Sequence, residues 1–276
     1  MIEYFKIICN EKRTATKVEE NEMKRIELFF FILIFLFTNF YSCSGLQDNS
    51  QYLESDETTK SFNNVTELKI QNITGNIEIT SWEKDFVEVT YIKKAKRKSL
   101  LEEIEVTIEQ HDSKLIIETD LPKFSGRCSV QFLISIPKTF SSIYAKTVTG
   151  SIYLKEVGYV ENLTGKSTTG SIKVELSFKN ADLNVVTGSV DLDIQEISDD
   201  GTIDINVTTG RVKITAPADF DAEVDFKAVT GSISTDFPVL TTGTIKRNRL
   251  VGKIGEGTTL CTVRTVTGSI NLVKGD

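Results

Sequence analysis

The chain has 276 residues and a net charge of -7, with 26% charged and 39% hydrophobic residues, an ordinary globular balance. An acidic chain lacks the basic footprint expected of a nucleic-acid binder. One histidine (His111) and one tryptophan (Trp82) leave little for His-based catalysis or an aromatic binding surface, and Cys9, Cys43, Cys128 and Cys261 share no spacing typical of a zinc site or redox pair.

Residues 1–22 carry no recognisable role and read as an upstream extension, with Met23 as the functional start. Residues 23–42 read as a signal peptide. Lys24 and Arg25 form its basic head, and Leu28–Phe37 are ten unbroken apolar residues. That run is too short for a spanning helix, which needs about 20 residues, and right for a signal-peptide core. It ends at Phe40-Tyr41-Ser42-Cys43, where Cys43 resembles the lipid-modified cysteine of a bacterial lipoprotein. Ser42 fits that pattern, whereas Phe40 replaces the usual leucine. A plain signal peptide with a chance cysteine, or an uncleaved anchor helix, are the alternatives. Residues 43–60, polar after the cysteine, are expected to be a flexible tether leading to a single β-repeat domain over 61–276.

Within that domain a Thr-Gly pair recurs seven times: Thr74-Gly75, Thr149-Gly150, Thr169-Gly170, Thr187-Gly188, Thr209-Gly210, Thr230-Gly231 and Thr267-Gly268. Two residues after each glycine stands Ile or Val (Ile77, Ile152, Ile172, Val190, Val212, Ile233, Ile270). Four after it stands Ile79, Leu154, Val174, Leu192, Ile214, Thr235 or Leu272, with mostly polar residues between. This period-2 alternation marks a strand with one buried face. Upstream, the position five before the glycine is mostly apolar and the next is always polar, so each unit reads strand, Thr-Gly corner, strand. The recurring glycine points to a backbone conformation that L-residues avoid.

From Gly150 onward the glycines are spaced 20, 18, 22, 21 and 37 residues apart, too short for propeller blades of about 40 residues. The expected fold is all-β: a β-solenoid, or β-helix-like stack, of ~20-residue two-strand coils with Thr-Gly corners. An antiparallel meander or β-sandwich, with Thr-Gly as a hairpin turn, is the alternative. The gap of 37 holds a degenerate copy at Thr242-Gly243. Residues 61–140 are expected to form a less regular section capping the stack, and 141–276 the regular coils.

The segments FLISIPKTFSSIYAKTVTGSIYL (132–154), FKAVTGSISTDFP (226–238) and VGKIGEGTTLCTVRTVTGSINL (251–272) resemble the bacterial putative-adhesin family of repeat β-proteins, a domain of unknown function. That resemblance implies a β-solenoid-like fold and a cell-envelope setting.

Little in the sequence points to chemistry. Phosphate-binding glycine loops open a helix, whereas each glycine here precedes a strand. Asp191 and Asp193, and the series Asp219, Asp221, Glu223 and Asp225, alternate as the wet face of a strand should, without a calcium-loop pattern. Serines following the glycines could use only His111 as a base, without a nucleophile-elbow context; stacked Thr and Ser are expected to form hydroxyl ladders. The cluster Lys93–Lys98 is a solvated loop or a contact for anionic headgroups or wall polymer. Cys128 and Cys261 form a disulfide or remain two buried thiols. The expectation is a surface or envelope lipoprotein serving as a non-catalytic binding or structural module. It would be held to the membrane by the lipid at Cys43 and have an unidentified protein or glycan partner, without nucleic acid, metal or cofactor. A β-helix carbohydrate-active enzyme, lyase or hydrolase, is the alternative.

Overall fold

The computed structural model describes residues 54–122, 128–241 and 246–275. The upstream extension, the signal peptide, Cys43 and the degenerate Thr242-Gly243 copy lie outside the described residues. The strands are β1 (Glu54–Asn63), β2 (Glu67–Thr74), β3 (Ile77–Trp82), β4 (Phe86–Ala95), β5 (Glu105–His111), β6 (Lys114–Asp120), β7 (Cys128–Pro137), β8 (Thr139–Thr149) and β9 (Ile152–Thr169). They continue as β10 (Ile172–Thr187), β11 (Val190–Thr209), β12 (Val212–Ala216), β13 (Ala222–Thr230), β14 (Ile233–Thr235), β15 (Leu240–Thr241), β16 (Arg249–Ile254), β17 (Thr259–Thr267) and β18 (Ile270–Lys274). A five-residue helix, Lys98–Glu102, interrupts them.

The repeat units pair in parallel and in register. Thr149 stands opposite Thr169, Thr169 opposite Thr187, and Thr187 opposite Thr209. Parallel neighbours rule out the meander, whose consecutive strands would be antiparallel. β9, β10 and β11 run 18, 16 and 20 residues from one corner around a distal bend to the next. Glu156 (φ 52°) and Asp200 (φ 62°) turn two of those bends. Each coil therefore has two arms, one before and one after the Thr-Gly corner, and the arms of successive coils form two facing layers. The sequence-predicted inner column, Ile77, Ile152, Ile172, Val190, Val212 and Ile270, is 0–1% exposed. Burial of an aliphatic side chain of this size contributes about 1.5–3 kcal/mol.

Stacking order departs from chain order at one place. Thr209 stands opposite Thr267, and Thr267 in turn opposite Thr230. The Gly268 coil is thus inserted between the Gly210 and Gly231 coils, and the corners stack as 75, 150, 170, 188, 210, 268, 231. The Gly231 coil is terminal, which explains why Ile233 is only partly buried and the next inner position is Thr235.

Antiparallel strands finish both ends. β16 covers β13, and β15 pairs with β16. At the other end β6 continues the layer beyond β2 in parallel, and β5 closes on it antiparallel. In the other layer β7 pairs in parallel with β3, followed by β4 and β1, each antiparallel to its neighbour. Residues 54–60, assigned to the tether from their polarity, are strand, so the ordered domain takes in residues before 61. As an edge strand, β1 needs no apolar face: it is exposed along most of its length and held by its ladder to β4.

Candidate functional site

The Thr-Gly corner is occupied by structural demands. Gly188 and Gly210 have φ of 143° and 149°, a region only glycine enters without strain. A Cβ on Gly210 would overlap the carbonyl oxygen of Gly188, and one on Gly188 that of Gly170. The ladder passes straight through the bend: the Gly188 amide donates to Thr209 O (2.9 Å) and the Val190 amide to Arg211 O (3.0 Å). Serine side chains add a second ladder. The amides of Ser171 and Ser189 donate to Ser151 Oγ and Ser171 Oγ, at 3.1 and 3.2 Å. Buried polar side chains three residues before the glycine add a third, with Thr147 Oγ1 donating to Gly75 O (3.3 Å) and Ser167 Oγ to Gly150 O (3.1 Å). Thr265 Oγ1, in the same column and buried, has no partner among the described residues.

The remaining sequence candidates do not come together. His111 lies exposed on the outer strand β5 beside Glu109 (3.3 Å), while the corner serines belong to the coil column. Cys128, in β7, and Cys261, in β17, are buried free thiols. The possible disulfide is therefore not formed: the two cysteines sit on opposite sides of the Gly150–Gly210 coils. Burial pushes the Cys261 thiol well above its ordinary range, and the charge of Asp204 adds to this. Lys93 stands opposite Asp56 of β1 and donates to Ile104 O (2.9 Å), so part of the basic cluster is paired. Among the described residues no group of three or more His, Cys, Asp or Glu is placed to hold a metal ion, and no helix is long and apolar enough to cross a membrane.

Carboxylates from different coils do approach one another at the distal end. Glu196, Asp199, Asp219 and Asp221 line an open cleft of about 520 Å³. Asp221 is committed there to the loop 255–258, accepting from the amides of Thr258 (2.7 Å), Glu256 (2.8 Å) and Gly257 (2.5 Å). These donors hold its carboxyl below the usual range, the reverse of the shift a general acid requires.

A different surface stands out. Five of the seven exposed large hydrophobic side chains among the described residues fall in one column, two before the glycine: Ile73, Val148, Val186, Val266 and Val229, between 36% and 60% exposed. Apolar side chains scattered singly over a surface are unremarkable, but these share one column, interrupted only by Thr168 and Thr208, and apolar side chains gathered on one face mark binding. The column four before the glycine points out of the same face and reads, in stacking order, Gln71, Lys146, Lys166, Asn184, Asn206, Arg264, Lys227. From Lys146 to Lys227 the two columns wall a furrow of about 500 Å³ along the stack. Lys166 lies 3.8 Å from Asp182, while Lys146, Arg264 and Lys227 have no ion-pair partner among the described residues. The sequence reading missed this face because it treated outward positions as generic polar residues. The signal was present in "VVTG" and "AVTG", where a valine occupies an outward position.

The chain's likeness to known proteins is one of fold. No curated protein matches it in sequence. It is similar to the crystal structure of a putative cell adhesion protein from Clostridium sporogenes, with a TM-score of 0.51 and 14% identity over 80% of this chain and 100% of that one. A putative adhesin from Bacteroides fragilis is similar with a TM-score of 0.38 and 14% identity, over 79% of this chain and 97% of that one. The family model of the Toastrack DUF4097 domain matches residues 175–273, which hold the corners from Gly188 to Gly268, and the same architecture continues upstream through the coils of Gly170, Gly150 and Gly75. Residues 175–273 are thus similar to the Toastrack DUF4097 domain, in line with the adhesin-family resemblance of the repeats.

Proposed function

We propose that the protein is a non-catalytic binding module displayed on a bacterial surface, and that the furrow beside the Thr-Gly corners is its ligand face. The observation that carries this reading is the collection of most of the exposed aliphatic side chains into one column, beside a second column that holds cations at both ends of the furrow. A core-forming repeat has no structural use for either row on its outer face. The name of the Clostridium sporogenes protein supports a surface role, and a lipid on Cys43 would supply the anchor.

Retention of the full chain on bacterial envelope preparations tests the furrow. The variant Lys146→Gln/Lys166→Gln/Lys227→Gln/Arg264→Gln is expected to lose retention while keeping its circular dichroism spectrum, because all four side chains point outward. Retention equal to that of the unmodified chain would remove the furrow from consideration. Processing and membrane partition that are unchanged by Cys43→Ala would dismiss the anchor.

A further inference from the structure

We infer that the furrow takes a linear acidic polysaccharide of the polyuronate class, laid along the stack at about one sugar per coil. This rests on the furrow being the ligand face and goes further by naming the ligand chemistry.

The first argument is spacing. The coils are in Cα register across the corner, so equivalent side chains repeat at the inter-strand distance of about 4.8 Å. The six coils from Lys146 to Lys227 therefore span about 24 Å. One pyranose residue of an extended β-1,4-linked chain advances by close to one coil. An extended peptide presents same-side groups every ~6.6–6.8 Å and falls out of step within two coils. An acyl chain carries no repeating polar group to meet a repeating row.

The second argument is the order of partners. The outer row reads Lys, Lys, Asn, Asn, Arg, Lys. In the middle, Asn184 and Asn206 donate their amide NH2 groups to Asp182 (2.5 Å) and Asp204 (2.8 Å). Each keeps a second N–H and its carbonyl oxygen, a donor and acceptor pair that suits hydroxyls, and the neighbouring carboxylates disfavour an anion there. The ligand must then offer anions at both ends of the furrow, with hydroxyls among them. Successive residues of an extended β-1,4 chain turn opposite edges to the same side, so one of the two cations at each end meets a carboxylate and hydroxyl edges fall in between. Along the furrow the inner row reads Thr168, Val186, Thr208, Val266 and Val229 in stacking order. Valine methyls meet the C–H face of a sugar ring, and threonine hydroxyls meet its polar edge.

The test is calorimetric titration of the full chain with β-1,4-linked oligomannuronates of two to eight residues, at low and physiological salt. Affinity is expected to rise with length and level off at about six residues. Lys146→Gln/Lys166→Gln or Lys227→Gln/Arg264→Gln should each weaken binding about tenfold. Val186→Thr/Val266→Thr should weaken it without changing the salt dependence, which belongs to the cations. The carboxyl-reduced neutral oligomers should bind at least about tenfold more weakly. Polyglutamate bound as tightly as the hexamannuronate would show a furrow that reads charge alone, overturning the polysaccharide and leaving the ligand face intact. No oligomannuronate binding, with envelope retention still lost in the four-site variant, would overturn the uronate class alone. Binding that ignores the furrow substitutions would overturn both.

Discussion

Replacing Gly210 by alanine should be among the most damaging single-methyl changes available in this chain. At φ 149° a non-glycine residue carries backbone strain of about 1–3 kcal/mol. Its Cβ would also overlap Gly188 O, and because that atom is backbone, the two coils must separate to admit it. Separation acts on the corner hydrogen bonds Gly188 N to Thr209 O (2.9 Å) and Val190 N to Arg211 O (3.0 Å), each worth ~0.5–1.5 kcal/mol net. The expected loss is about 2–6 kcal/mol. Gly165→Ala is the matched control. That glycine lies inside an arm, and its Cβ would meet side chains, Leu183 (3.0 Å) and Ile172 (3.3 Å), rather than backbone, so overpacking partly offset by the loss of a strand glycine should keep the cost to about 2 kcal/mol or less. Urea unfolding followed by circular dichroism gives both values by linear extrapolation. Hydrogen exchange at the Gly188 and Val190 amides tells a local opening from a global one. If Gly210→Ala is no worse than Gly165→Ala, steric demand does not explain the recurring glycine.

Three other expectations follow from named atoms. Thr265→Val should be neutral or stabilising by up to about 1 kcal/mol in the same unfolding assay, because it removes a buried hydroxyl without a partner, whereas Thr147→Val loses a bond to Gly75 O and should be destabilising. The Asp221 carboxyl is held below its unfolded value by the amides of Thr258, Glu256 and Gly257. Its stabilising contribution is therefore complete above the unfolded pKa of about 3.9 and lost as pH falls through the folded value. Asp221→Asn should flatten that part of the acid-unfolding curve, and an unchanged curve would refute the role given to the loop 255–258. Cys128 and Cys261 should remain unmodified by a thiol reagent at pH 8 until denaturant is added, and intact-mass analysis without reductant should find no bond between them.

The coil, its buried columns and its glycine corners were legible because each is a local pattern: period-2 alternation around a residue with special backbone freedom. Stacking order was not. Every copy carries much the same corner, so nothing near Gly268 says that its neighbours will be Gly210 and Gly231. That choice depends on contacts distant in sequence, including the short inner strand after Gly231 that fits only at an end. β1 was misread for the opposite reason, since an edge strand can be polar throughout and still be held by its ladder. The furrow needed the register as well, because a valine at an outward position means little until five such side chains are known to stand in one row.

The insertion of the Gly268 coil between those of Gly210 and Gly231 also sets a timetable. A chain emerging from its amino end can lay down coils one upon another as far as Gly210, and then must stop. The Gly231 segment is made next, yet its place is not adjacent to anything already built. It has to wait, unsupported on that side, until residues 259–274 arrive to fill the slot between. Folding of this solenoid cannot advance as a simple wave along the chain: its last step joins two pieces through a third that is synthesised after both.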